Sequence, residues 1–377
     1  MKSKVVFTGY YGQHNFGDDI FCQVATWGAN KYWKRQARFF VTETPVFPDY
    51  FDYFKPSTFK TKGHALLYQY IESIMNRTIV YSGGSIFHSK PSKSYSINNF
   101  IYLMSNLGKQ LGAIGVSVGP FQSDEDFQWV KRFLSRFSYI SVRDRNSFEL
   151  IKDIRLSGEV VQGFDLAVLY PLIFNFQQTK SANDLSKIIG VSLCHYESYI
   201  RGDENMEKQR EEAILNYLSD IAIKRKDIIF RFFVLNNHPL VGDQEITNDF
   251  VRHLRNYSER IEVINYSYNP KVVVDKMREC KFIIGVRLHS AIMAYTMGIP
   301  FLLIEYHPKC TNFLDDINYP KKYRLGSAAV DRFIFSDYID FFLNQNKSII
   351  LEELLPIHMA QELAIKNFIK APWAIDK

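Results

Sequence analysis

In the segment FIIGVRLHSAIMAYTMGIP, residues 282–300, a guanidinium and an imidazole fall two positions apart, directly after a short apolar run. Phe282 to Val286 has the β-branched content of a buried strand, and an apolar-periodic helix is expected from about Ser290 to Met297, ahead of Gly298. Arg287 and His289 would then stand between the carboxyl end of a strand and the amino end of a helix. In open α/β sheets that edge is where ligands bind. A helix amino terminus also offers N–H groups and positive dipole to an anion, and Arg287 adds a planar fork of donors that matches carboxylate or phosphate. The same residues would equally serve a helix cap paired with a surface carboxylate. What favours an anion site is that the arrangement recurs.

After the strand-like Lys4 to Thr8 comes GYYGQHNFGDD, residues 9–19. Its glycines allow a tight turn and close approach to a ligand. Asn15 lies in this turn; Asp18 could cap the following helix, or Asp18 or Asp19 could act as a general base. The Gly-Lys-Ser/Thr ending of a P-loop is absent, and the glycines have the wrong spacing for a dinucleotide fingerprint. SGGSIFH, residues 82–88, places Gly83, Gly84 and His88 after another strand, and residues 115–121 end a third on a Gly-Pro turn. Arg143 ends a fourth, where it could pair with Asp144 or another carboxylate or grip an anion. Asp165 follows a fifth, as turn residue or ligand contact. In the second half, His195, Asn236-Asn237-His238, Arg287 with His289, and Glu305 to Lys309 hold corresponding places. Taken singly, His195, His238 and His307 are explained better by structural roles than by ligand contact. Arg143 from one side of a cleft, with Arg287 and His289 from the other, would hold a small dianion or trianion.

These positions need a framework of alternating strands and helices. Strands are expected at Lys4–Thr8, Thr78–Ser82, Ala113–Val118, Tyr139–Val142 and Val160–Gln162, with helices near Asp18–Trp33, Asn98–Leu111, Asp124–Phe137 and Arg145–Asp153. The polar QQTKSANDLSK, residues 177–187, reads as a linker. A second set follows, with strands at Ile188–Leu193, Ile228–Leu235, Ile261–Asn265, Phe282–Val286 and Phe301–Ile304. Its helices fall near Glu204–Lys224, Gln244–Tyr257 and Pro270–Cys280. This alternation predicts an α/β protein with two doubly wound, Rossmann-like domains facing a cleft, over residues 1–176 and 188–345. Helical spacing over Ile349–Ile369 suggests that residues 346–377 cross back to the first domain. The Pro- and Phe-containing stretch Thr42–Lys62 reads as an irregular loop.

A chain of 377 residues suits two domains, and 46% apolar with 23% charged residues is ordinary for a globular protein. A net charge of +6 is too modest and spread out for nucleic-acid binding, yet compatible with an acidic substrate or an anionic membrane face. Cys22, Cys194, Cys280 and Cys310 show neither CxxC nor metal-ligand spacing, and read as free thiols in a reducing compartment. The start MKSKVVFTGYYG has too short an apolar run for a signal peptide. Residues 291–304 are too short to span a bilayer. The expectation is a cytoplasmic protein that could rest on the inner face of the membrane.

With these blocks laid out, the chain resembles the polysaccharide pyruvyltransferase family. The resemblance is carried by Gly9-Tyr10-Tyr11-Gly12 through Asn15-Phe16-Gly17-Asp18, Gly83-Gly84, Val118-Gly119-Pro120, Val142-Arg143-Asp144 with Ser147, and Asp165. It continues in Gly190-Val191-Ser192, Gly285 to Ser290, Gly298-Ile299-Pro300, and Tyr306 with Lys309. Ser85 departs from it, since many members carry a third glycine there. The resemblance implies a glycosyltransferase B-type architecture and transfer of the pyruvyl group of phosphoenolpyruvate to two hydroxyls of one sugar in a surface or capsular polysaccharide. A cyclic ketal would form and phosphate would leave. It further implies that Arg143, Arg287 and His289 contact phosphoenolpyruvate.

On this reading His289, Arg287 and Asp18 are the catalytic candidates. Asn15, Gly83, Gly84, His88, Arg143, His195 and Lys309 are the further substrate-binding ones. The donor is phosphoenolpyruvate, the saccharide acceptor could be lipid-linked, and neither a cofactor nor a metal is expected. A nucleotide-sugar glycosyltransferase of the same fold, or a non-catalytic glycan-binding protein, would share many of these features.

Overall fold

The structure, a computed structural model, describes residues 4–41, 52–54, 62–93, 96–152, 154, 156, 158–174, 176, 187–200, 202–326 and 353–375. The chain divides into two compact units. One comprises Met1–Gln13, Asp18–Phe174 and His358–Lys377; the other comprises His14–Gly17 and Asn175–Ile357.

The first unit is built on a parallel sheet of seven strands: β1 (Lys4–Thr8), β2 (Gln36–Phe40), β3 (Asp52–Phe54), β4 (Thr78–Ser82), β5 (Gln110–Val116), β6 (Tyr139–Val142) and β7 (Glu159–Gln162). Their order is β3-β2-β1-β4-β5-β6-β7. Winding reverses between β1 and β4, so the crevice outside their carboxyl ends is this sheet's natural ligand position. The loops there are residues 9–15 and 83–88. β4 is buried along its whole length, as expected for a strand covered on both faces.

The second unit repeats the plan with β8 (Ile188–Ser192), β9 (Ile229–Phe233), β10 (Ile261–Ile264), β11 (Phe282–Gly285), β12 (Phe301–Glu305) and β13 (Leu325–Gly326), ordered β10-β9-β8-β11-β12-β13. Its reversal lies between β8 and β11. The residues following those strands are Leu193–His195 and Val286–His289, so topology places Arg287 and His289 at the switch point.

Three differences from the sequence expectation have physical causes. β2 was not anticipated, because QARFF carries polar side chains at Gln36 and Arg38. Asp52–Phe54, inside the stretch read as irregular loop, pairs in parallel with β2 as an edge strand; most of that stretch, like most of the proposed linker, lies outside the described residues. The helix expected to reach Leu111 ends at Met104, followed by a tight turn over Ser105–Leu107. Gly108 then takes the left-handed conformation (φ 72°) that stops a helix, and β5 starts at Gln110.

The helix Ile357–Ile369 packs in the first unit from His358 onward. Asn367, fully buried, accepts from the Gly115 N–H at 2.7 Å and donates to the Phe164 and Ala364 carbonyls. Trp33 donates its indole N–H to the Phe368 carbonyl at 2.8 Å and stacks edge-on against Trp373. A buried amide so fully satisfied fixes the register of the helix on the sheet.

Candidate active site

In the second unit, β11 runs directly into the helix Leu288–Met297, with Arg287 as its N-cap residue in extended conformation. No side chain caps this helix among the described residues; Ser290 instead bonds the Arg287 carbonyl at 2.6 Å. The helix therefore opens directly on the strand edge. Arg287 does not point there freely. Its Nε and Nη2 fork onto the carboxylate of Asp243, with Nε to Oδ1 at 2.9 Å, and Nη2 also reaches the Val241 carbonyl at 3.3 Å. Among the described residues Nη1 carries no such bond, which leaves that edge of the guanidinium for a ligand.

Asp243 is the residue that sequence reasoning missed. It precedes the helix Gln244–Leu254 in the position of an N-cap, yet its side chain makes no cap bond. It is fully buried, and it also accepts the Asn236 backbone N–H at 3.0 Å. Burial alone would lower the Arg287 guanidinium, but the neighbouring Asp243 carboxylate more than offsets this and raises it, so Arg287 stays charged. The only sequence signal was an aspartate one residue before a helix, and that pattern ordinarily means a cap.

The segment His14–Gly17 completes this arrangement. Asn15 forms an isolated antiparallel bridge with Asn236, Phe16 donates to the Leu235 carbonyl, and Asn237 donates to the His14 carbonyl, both at 2.9 Å. Asn15 Oδ1 accepts the Gly17 N–H at 3.0 Å. The helix Phe16–Trp33 thus begins earlier than expected, and Asn15 caps it. The capping role considered for Asp18 falls away, because Asp18 lies inside the first turn with Asp19. Gly17 lies against the imidazole of His289: a Cβ there would sit 2.1 Å from Nδ1 and 2.2 Å from Cε1. Two stretches far apart in sequence, each in the family blocks, therefore meet at the catalytic imidazole candidate.

Lys309 adds a second cation near these strand ends. Lys309, at the start of the helix Pro308–Asp316, holds its ammonium 5.2 Å from the ring centre of the buried Tyr306. Burial, helped by the Asp243 carboxylate, pushes the Cys194 thiol up to about 11 against the pull of Arg287, Arg210 and Lys309. Cys194 is therefore a neutral thiol near neutrality rather than a nucleophile.

The first unit has its own constellation. Arg143 is buried, with Nη1 to Asp165 Oδ2 at 2.9 Å, Nε to Ser117 Oγ at 2.7 Å and Nη2 to Ser85 Oγ at 3.1 Å. Its carboxylate partner is Asp165 and not Asp144, which turns to Ser117 and Ser147. Ser85, the departure from the family pattern, supplies one of the three bonds. Gly83 and Gly84 both have positive φ, 71° and 78°. A side chain at Gly83 would strike the Phe21 ring at 2.3 Å, whereas one at Gly84 would meet only Asp18 Oδ1 and Ile86 Cγ1, both at 3.9 Å. Asp18 is half-buried at this edge and Asp19 is 1% exposed. Of the two, Asp18 is the carboxylate that a substrate proton could reach.

Two further histidines at these strand ends, His88 and His195, have neighbours of their own. Burial lowers His88, with Asp126 opposing; Asp126 belongs to the start of the helix Asp124–Leu134. His195 bonds Glu211 at 2.8 Å and lies 3.6 Å from Glu207, so it serves an ion pair that ties the end of β8 to the helix Glu204–Lys224. These three residues bring ligand atoms within 4.8 Å of one another, a grouping the sequence did not disclose. Glu207 accepts the backbone N–H groups of Tyr196 and Glu197 and lies 3.5 Å from Arg210, which accounts for it as an internal network. The hydrogen bond to Glu211 raises His195, against burial. Its stabilising contribution is thus complete below the ordinary histidine value and lost as pH rises through the raised one. Urea unfolding from about pH 6 to about pH 9 should show a loss of stability that shrinks in His195→Asn.

Two parallel-sheet α/β units, with an arginine and a histidine at the second unit's switch point, define a protein of the glycosyltransferase B-type architecture with an anion-suited strand edge. Structural comparison agrees on the fold. A UDP-N-acetylglucosamine 2-epimerase described as putative, from Listeria monocytogenes, superposes with a TM-score of 0.61 at 11% identity over 100% of both chains. The UDP-GlcNAc 2-epimerase of Methanocaldococcus jannaschii gives 0.57 at 14% identity, covering 92% of this chain and 94% of that one. A trehalose 6-phosphate synthase from Burkholderia multivorans gives 0.54 at 11% identity, over 98% and 96%. The chain itself belongs to the polysaccharide pyruvyl transferase family, whose profile matches residues 15–308. Among curated relatives, the amylovoran biosynthesis protein AmsJ of Erwinia amylovora is 22% identical over 261 residues. That match covers 64% of this chain and 60% of the relative.

Proposed function

We propose that this transferase moves the pyruvyl group of phosphoenolpyruvate onto two hydroxyls of one sugar in a surface or capsular polysaccharide or its precursor, forming a cyclic ketal and releasing phosphate. The observation that carries this reading is the Arg287 guanidinium, oriented by buried Asp243 at the switch point beside His289 and an uncapped helix start. A donor bearing both carboxylate and phosphate matches such a site chemically.

In this reading His289 delivers a proton, to C3 of the enol or to the departing phosphate. Protonation at C3 makes C2 oxocarbenium-like, and a sugar hydroxyl adds to it. The bond from C2 to the phosphate oxygen breaks, and a second hydroxyl closes the ring. Each hydroxyl gives up one proton, and Asp18 is the base assigned to accept it. Arg287 and Lys309 stabilise the negative charge that builds on phosphate. Arg143 is kept as the first unit's anion candidate. We place the reaction in the cytoplasm; no helix among the described residues is long and apolar enough to cross a membrane.

Thermal unfolding with phosphoenolpyruvate, UDP or GDP tests the donor. A ligand at about a hundred times its dissociation constant stabilises the fold by about 2.7 kcal/mol. The expected result is a shift with phosphoenolpyruvate alone, lost in Arg287→Lys, which keeps the charge and removes the fork. A shift with a nucleotide alone would overturn the pyruvyl donor and favour sugar transfer.

A further inference from the structure

One surface of the first unit combines exposed apolar side chains with a basic rim. On the helix Lys62–Met75, Leu67, Ile71, Ile74 and Met75 fall on one stripe. Leu103 and Leu107 continue it from the helix Ile97–Met104 and the turn after it. These six side chains are between 40% and 76% exposed, whereas stripes at such spacing ordinarily face a core. The two helices are neighbours: Tyr70 stacks on Phe100 with ring centres 4.1 Å apart. Lys109 donates to the carbonyls of Ile74 and Asn76, which joins the end of one helix to the turn beyond the other.

Among the described residues of these elements, the charges near this face that reach the surface are basic. Arg77 is exposed at the end of the first helix, Lys109 lies between the two, and exposed Arg136 packs over Tyr102 and bonds Asn106 at 3.1 Å. The two helices contain one acid, Glu72, which is 5% exposed and paired with Arg38 at 2.9 Å. A soluble partner with an acidic rim would suit this charge. Flexible aliphatic side chains on two neighbouring helices, beside basic ones, better suit the boundary between headgroups and acyl chains.

We propose that the face formed by residues 67–75 and 103–109 docks on an anionic lipid surface, its leucine, isoleucine and methionine side chains entering the interface and Arg77, Lys109 and Arg136 meeting the headgroups. This does not depend on the identity of the donor. Each basic residue near such a surface adds to the attraction, which is screened by salt.

Vesicle flotation of the full chain tests it, with phosphatidylcholine alone and with about one third phosphatidylglycerol added. Wild type should float with the anionic vesicles and stay behind with the neutral ones. Arg77→Glu should weaken partitioning about tenfold or more, and Leu103→Glu/Leu107→Glu should abolish it, with thermal unfolding unchanged because these side chains are exposed. Equal flotation with both vesicles, none with either, or unaltered binding of the double variant would each overturn the proposal. So would sedimentation showing a dimer, lost in the double variant, without vesicle binding; the face would then belong to a second copy of the chain.

Discussion

Turnover in Arg287→Ala should fall by at least about a hundredfold, the usual effect of removing one donor that stabilises developing negative charge. Stability should fall as well, because the substitution leaves the Asp243 carboxylate fully buried with its guanidinium partner gone. Breaking a buried pair from one side typically costs about 3–5 kcal/mol. The two losses separate in a second variant. Asp243→Asn introduced into Arg287→Ala removes the unpaired charge and keeps an acceptor for the Asn236 N–H, so most of the lost stability should return while turnover stays at the single-variant level. Urea unfolding and steady-state phosphate release read the two effects. Recovery of both together would mean that Arg287 acts only as a structural partner of Asp243. Near wild-type turnover in Arg287→Ala would remove the site altogether.

That pairing also shows what the sequence could and could not disclose. Phe282–Gly285 is a continuous apolar run, and its burial follows from composition, so the strand and the place of Arg287 at its end were legible. The same holds for β1, β4 and β6, each a short apolar run bounded by turn residues. β2 and β3 were not legible, since a polar residue inside a short strand, or three residues at a sheet edge, leave no periodic signal. Partners were harder still. Asp243 lies 44 positions before Arg287, and nothing local distinguishes a capping aspartate from one that turns away toward a guanidinium. For Arg143 the sequence left open Asp144, another carboxylate or a ligand; β7 brings Asp165 alongside, and Asp144 is drawn away by two serine hydroxyls. Such choices are made by tertiary geometry, where several carboxylates compete for one cation and the best-buried fork prevails.

Gly17→Ala should be nearly as damaging to turnover as loss of His289 itself. Inside a helix an alanine is ordinarily favoured over glycine by about 1 kcal/mol, and Gly17 is not among the residues of positive φ. The backbone alone therefore predicts a more stable protein. The added Cβ, however, would stand 2.1 Å from Nδ1 of His289, 2.2 Å from Cε1 and 2.6 Å from Cγ. No van der Waals contact is that short, so the imidazole must move by an ångström or more, and overpacking of this kind costs about 1–3 kcal/mol. A displacement of that size in a proton donor costs about a hundredfold in rate. The sign of the stability change is thus diagnostic: destabilisation means the ring is held against the helix start, and stabilisation means it is not. In Gly17→Ala/His289→Ala the obstacle is gone, so stability should return to or above that of His289→Ala, with turnover no lower than in that variant. Non-additivity of this kind marks direct contact between the two positions. It would place the segment His14–Gly17 and the Arg287-Leu288-His289 sequence in a single working unit. Additive losses in the double variant, or near wild-type turnover in Gly17→Ala, would deny that the helix start positions the imidazole.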